Sequence, residues 1–215
     1  IGLGGDSEVK VSRSREMSVG PRRVLPLCRA GISPRQMVKL LQTDTMEFQV
    51  PKFLFPGQGE LPPGHFTEAR IMDEVGERGV SYERLLQLFR DRKAVDEAIC
   101  FLQRKGCIAV CGFTPTDALH VLDALSLGDR ALSLVGAERL ARAFGAEDAR
   151  DFSQAVVSTV SRKLAEYLLI DCLAMEGLSE ESLEGPLANL LLAKLLGSDM
   201  ADSLSIKARL HRPLL

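Results

Sequence analysis

The stretch DARDFSQAVVSTVSRKLAEYLLIDCLAME, residues 148–176, sets the class of the fold. Val157, Val160, Leu164, Leu168 and Cys172 recur in it at three- and four-residue steps, the spacing of one face of an α-helix, and Gly177 ends the run. Working outward, Leu134, Ala137, Leu140, Ala141 and Phe144 keep the same period over residues 132–144. The composition agrees: there is no tryptophan, aromatics are 5%, and Leu and Ala dominate the apolar set, which suits packed helices better than a β-sandwich. The expected class is mainly α with short β-strands at both termini.

A chain of 215 residues with 46% hydrophobic content has enough apolar surface for a core. Charged residues make up 26% and nearly cancel, to a net charge of -2, so no global field draws the chain to nucleic acid or to an anionic membrane. The longest apolar stretches are interrupted by Arg162, Lys163, Glu166 and Asp171, or by Lys194, which excludes a membrane span. Cys28, Cys100, Cys107, Cys111 and Cys172 are odd in number and scattered, which argues against a disulfide framework and for the reducing cytoplasm. The chain opens at Ile1, inside a strand-like segment and without a methionine, as a piece of a longer protein would.

Residues 1–30 and 200–215 read as a β-element. Val9 and Val11 alternate with polar neighbours, Met17, Val19 and Val24 follow a turn, and Leu204, Ile206, Ala208 and Leu210 alternate again near the end. The intervening region, 31–199, reads as helical. Ser33, Ser81, Thr114 and Ser179 are expected N-caps, with Pro34 and Pro115 at first helical positions. Residues 50–64 hold Pro51, Pro56, Pro62 and Pro63 and three glycines, and read as an exposed loop without regular structure. Residues 81–112 give two helices and a strand, Cys107 to Cys111, in the order of a winged-helix unit. On the second helix, however, Lys93, Arg104 and Lys105 are offset by Asp91, Asp96 and Glu97, so packing is the better reading than nucleic-acid binding.

Two motifs carry candidate chemistry. In Gly4-Gly5-Asp6-Ser7 the small residues let backbone approach a ligand, and Asp6 can hold a cation or orient water. In Thr114-Pro115-Thr116-Asp117-Ala118-Leu119-His120 the pattern of Thr114 and Asp117 is a helix start whose carboxylate reaches back to free amides. Asp117 and His120 share a face there, and one Asp with one His is read as a surface contact rather than a metal site. Cys107 and Cys111 read as core thiols, and neither His65 nor His211 has a nucleophile or acidic partner nearby in sequence.

Taken in order, Ile1-Gly2-Leu3-Gly4-Gly5-Asp6-Ser7, then Val19-Gly20-Pro21-Arg22-Arg23-Val24 with Pro26-Leu27-Cys28, then Phe113 through Leu122, resemble the hydantoinase/oxoprolinase family. The similarity continues through Arg162-Lys163-Leu164-Ala165-Glu166 and into Arg212-Pro213-Leu214. The resemblance implies part of an actin-like ATPase lobe carrying a helical insertion. It also implies a parent enzyme that uses ATP and Mg2+ to open cyclic amides such as hydantoins and 5-oxoproline. The family's Asp-Gly-Gly-Thr loop, its Gly-Gly-Thr-Thr-Asp loop and its glycine-rich adenosine loop are not found in this sequence. The implied entity is therefore an internal piece, inactive alone and binding no cofactor by itself. Its implied site residues are Asp6 as the catalytic group, Gly4, Gly5 and Ser7 near the cofactor, and Thr114, Thr116, Asp117 and His120 in a substrate-facing or structural role; the metal set is open. A helical interaction module, with residues 50–64 contacting a partner subunit, is the alternative, and a winged-helix nucleic-acid binder stands third.

Overall fold

A computed structural model describes residues 4–12, 14–42 and 52–175 of the chain. Helices predominate among them: α1 (Pro34–Gln42), α2 (Phe66–Val75), α3 (Tyr82–Leu88), α4 (Arg92–Arg104), α5 (Pro115–Val121), α6 (Arg130–Phe144) and α7 (Ala149–Met175). The caps fall where the side chains direct them. Ser33 Oγ accepts the Gln36 N–H at 3.2 Å, Ser81 Oγ accepts the Arg84 N–H at 3.3 Å, and Thr114 and Asp117 form a reciprocal capping box. The chain divides into two compact units, Ile1–Val157 and Ser158–Leu215. The described part of the second unit is the continuation of α7 to Met175. The helix capped by Ser179 and the strand at 204–210 lie outside the described residues.

In the first unit, β1 (Ser7–Val11) and β2 (Met17–Arg23) make an antiparallel hairpin with Val9 opposite Val19 and Val11 opposite Met17. The alternation read in the sequence places these valines in the core, where Val9, Val11 and Val19 are buried. A four-stranded sheet follows, in the order β3-β6-β4-β5, from β3 (Leu25–Pro26), β4 (Lys52–Pro56), β5 (Val80–Ser81) and β6 (Ile108–Gly112). Just past β6, the Phe113 carbonyl accepts the Val9 N–H at 2.8 Å and ties the hairpin to the end of that strand.

Strand β4 corrects the reading of 50–64 as an irregular exposed loop. Residues 52–55 are buried, and β4 pairs with β6 on one side and β5 on the other. The prolines explain the misreading: Pro56 ends the strand, and the run Lys52-Phe53-Leu54-Phe55 is apolar enough for a central strand although too short to show a period. Beyond it Gly57 and Gly59 lie against the 105–107 backbone, through Gly57 N to Cys107 O at 2.7 Å and Gly59 N to Gly106 O at 2.9 Å; a Cβ at either would collide with that backbone. Strands are thus not confined to the termini and the Cys107 segment.

The order α2, β5, α3, α4, β6 extends the winged-helix-like segment expected at 81–112, with β4 lying between β6 and β5. Its core joins Leu54 and Val110 to Ile71, Val75, Leu85, Val95, Ile99 and Leu102. Burying each such side chain contributes about 1.5–3 kcal/mol, so this segment holds much of the unit together. On the exposed side of α4, Arg92 pairs with Asp96 and Lys93 with Glu97, each at 3.9 Å. Those pairs neutralise the face a reading helix would present to phosphates. Two buried charges stand near the Gly112 end of β6. Lys52, opposite Gly112, lies 4.4 Å over the Tyr82 ring, and Glu8 has both carboxylate oxygens without a hydrogen bond, facing Lys10 Nζ at 3.1 Å. Among the described residues no helix is long and apolar enough to cross a membrane.

Candidate functional site

The site is built on the first turn of α5. Thr114 is the N-cap, Pro115 supplies a fixed φ at the first position, and the Asp117 carboxylate returns to the Thr114 N–H at 3.0 Å. That carboxylate then does far more than cap. Oδ2 also accepts the Thr114 hydroxyl at 2.9 Å and the Leu27 N–H at 3.0 Å, while Oδ1 accepts the Cys28 N–H at 2.9 Å and the Ser133 hydroxyl at 2.8 Å. Asp117 is fully buried, and five donors replace its lost hydration. It joins α5 to the 3-10 turn Leu27–Arg29 and to α6.

This overturns the expectation of a surface contact at Asp117 and His120. His120 is also buried, and its Nε2 accepts the Leu127 N–H at 2.9 Å, so that nitrogen carries no proton. The reason is tertiary: the donors at Leu27 and Cys28 come from about ninety residues away, beyond what helical spacing reveals.

Thr116 faces outward from the same turn. Its N–H and hydroxyl both donate to the Gly5 carbonyl, at 3.2 and 2.8 Å, which docks the Gly4–Ser7 turn on α5. The turn is closed internally by Ser7 N to Gly4 O at 3.0 Å and Gly4 N to Ser7 Oγ at 2.8 Å. A Cβ on Gly5 would stand 2.8 Å from Thr116 Oγ1, so the close approach requires glycine. Asp6 is half-buried, and its Oδ2 lies 3.6 Å from Arg23 Nη1.

Of the residues singled out in the sequence, the structure brings Gly5, Asp6 and Thr116 together on one open cleft of about 520 Å³. Gly4 and Ser7 form the turn behind it, and Thr114, Asp117 and His120 lie in the core. Sequence reasoning missed three polar lining residues, Arg23, Arg29 and Gln103. Arg23 stands inside a quoted motif and was open to selection; Arg29 and Gln103 carry no local signal. Val24 and Pro26 are the buried apolar part of the lining, and Leu25 and Leu127 the exposed part.

The nearby thiols are not nucleophiles. Burial, reinforced by the Asp117 charge, pushes both Cys28 and Cys111 up to about 12, so both stay protonated at neutral pH. Cys107 is buried as well, which bears out the reading of Cys107 and Cys111 as core thiols. Among the described residues no group of three or more His, Cys, Asp or Glu side chains is placed to hold a metal. The cleft does not fit ATP and Mg2+ by itself. Asp6 is its only carboxylate, and the Gly4 and Ser7 amides that would cradle phosphate are spent within the turn. Compared with protein-family models, with curated proteins and with solved structures, the chain gives no match in any of the three.

Proposed function

We propose that the chain is an internal section of an ATP-dependent cyclic-amide hydrolase of the hydantoinase/oxoprolinase type, in which the cleft at Gly5, Asp6 and Thr116 faces the cyclic amide. One observation carries this reading. The Gly4–Ser7 turn and the Thr114–His120 helix start, the two segments on which the family resemblance most depends, meet through Gly5 and Thr116 at the same cleft. Ring opening requires water to be directed at an amide carbonyl, and Asp6 is a half-buried carboxylate on a turn fixed at both ends, suited to orienting that water. Asp117 holds the floor rigid behind it. Nucleotide is held by residues of the longer protein, and the isolated section neither binds nor hydrolyses ATP.

The test is ATP hydrolysis by a longer protein that includes the flanking sequence, with and without a cyclic amide. The reading expects hydrolysis that requires magnesium and the cyclic amide and is lost in Asp6→Asn. A helical interaction module is the second reading, favoured by Leu164, Leu168 and Met175, which stand exposed on α7. It expects hydrolysis indifferent to Asp6.

A further inference from the structure

Among the described residues Lys52 is the only buried lysine. Its Nζ lies 4.4 Å over the Tyr82 ring and forms no ion pair with a described carboxylate. Glu8, 1% exposed, is the matching oddity: neither of its oxygens accepts a hydrogen bond from a described residue, and its nearest cation is Lys10 Nζ at 3.1 Å. A buried amine and a buried carboxylate thus stand close enough for Glu8 to be the strongest charge acting on Lys52, yet they are not paired. Burying two such groups costs stability unless they have partners or a task.

The groups around Lys52 come from four elements. Burial disfavours its ammonium form, and Arg22 from β2 and Lys10 from β1 push the same way, while Glu8 from β1 and Asp96 from α4 oppose them. Tyr82 from α3 offers only its ring face. A lysine desolvated beside other cations is the state in which the amine acts as a nucleophile at neutral pH. Access comes from the outer face of α4, where a cleft of about 510 Å³ is lined by Arg92, Asp96 and Cys100. Tyr82 joins that cleft to the amine, with its ring under Lys52 and its hydroxyl donating to Asp96 at 2.9 Å, and Arg22 reaches Asp96 and Cys100 at 4.0 Å each. No lining residue is shared with the cleft at Gly5, Asp6 and Thr116. So buried an amine admits a compact, uncharged electrophile. A carbonyl compound meets both conditions: condensation releases only water and leaves a neutral imine, which suits a desolvated position better than the ammonium does.

We propose that Lys52 is a carbonyl-capturing amine, whose Nζ condenses with a small uncharged aldehyde or ketone while Glu8 carries the protons. The Nζ electron pair bonds to the carbonyl carbon, Glu8 moves the two amine protons in turn to the oxygen, and the C–O bond breaks to release water as the C=N bond forms. The site is independent of the cyclic-amide reading. Acetaldehyde with cyanoborohydride, which reduces each imine to a stable secondary amine, is applied to the whole chain near neutral pH, and peptide mass mapping locates the label. The α-amino group of Ile1 is mapped separately. Lys52 is expected to be labelled at least about tenfold faster than the exposed Lys93, well within what a positioned proton carrier contributes. Glu8→Gln is expected to slow labelling of Lys52 by about tenfold or more. Electrostatics alone moves that rate the other way, because loss of the Glu8 charge leaves the ammonium less stable and more of the amine neutral. Slowing therefore reports proton transfer. Labelling of Lys52 no faster than that of Lys93 in the folded parent would overturn the site, and this comparison needs no substitution. Unchanged or faster labelling in Glu8→Gln would overturn the role of Glu8.

Discussion

Thr116 donates both its backbone N–H and its hydroxyl to the carbonyl of Gly5, across 111 residues of sequence. The contact fixes the turn that presents Asp6, and a Cβ at residue 5 would stand 2.8 Å from Thr116 Oγ1 and push that hydroxyl off the Gly5 carbonyl. Gly5→Ala is therefore expected to destabilise the chain by about 0.5–1.5 kcal/mol, the scale of the hydrogen bond displaced. Urea midpoints would register it. Thr116→Val, which removes the hydroxyl donor, is expected to cost a similar amount, about 0.5–1.5 kcal/mol.

Asp117 and Thr114 cap the same helix but are not equal in consequence. Thr114→Ala removes an N-cap and is expected to cost about 1 kcal/mol. Asp117→Ala leaves five donors unpaired in the interior, and a loss of about 3–5 kcal/mol is expected, with Asn recovering only part. Denaturant unfolding of the two variants side by side measures the ratio. Equal losses would mean that the carboxylate acts as a cap alone.

The thiols give a pH dependence whose sign follows from their raised values. A thiol near 9.0 when unfolded and about 12 when folded holds its proton more tightly in the native state. The stability this contributes is fully present below pH 9 and is lost as pH rises from 9 toward 12. Tyr82, raised to about 12 by burial and its hydrogen bond to Asp96, acts in the same direction from pH 10 upward. Alkaline melting curves should therefore fall steeply over that window. Alkylation of the native protein at pH 8 should modify the half-exposed Cys100 and spare Cys28, Cys107 and Cys111.

Lys52 has the opposite sign. Burial lowers its pKa, partly offset by the Glu8 charge, so the folded state holds that proton less tightly than the unfolded one. Its destabilising contribution is largest while the folded lysine is charged and diminishes as pH rises toward 10.5. Lys52→Met is expected to leave stability at pH 7 unchanged or raise it by about 1 kcal/mol, since apolar replacements of buried charges are often neutral or stabilising. The variant should also lack the rise in stability that the lowered Lys52 pKa gives the parent as pH increases toward 10.5. A large loss at pH 7 would show that Glu8 depends on Lys52 more than on Lys10.

What could be read from the sequence was local. Ser33, Ser81 and Thr114 announce their helices because an N-cap acts within three residues, and the period of 148–176 is long enough to be unambiguous. Strand β4 was hidden because four residues between prolines show no period, and a central strand is defined by its neighbours. The site divided in the same way. The Gly5-Asp6 turn and Thr116 stand in recognisable motifs, whereas Arg29 and Gln103 enter the cleft only through the 3-10 turn and α4 as folded. The burial of Asp117 was invisible for the same reason, its partners being Leu27, Cys28 and Ser133.

The most direct test of the functional account is steady-state ATP hydrolysis by the longer protein, measured with a cyclic amide and magnesium for the parent and for Asp6→Asn. The account expects turnover in the parent that stops without the cyclic amide, and a fall of about a hundredfold or more in the variant, the scale on which a positioned acid–base group acts. Turnover unchanged by Asp6→Asn in a protein of unchanged melting temperature would contradict it.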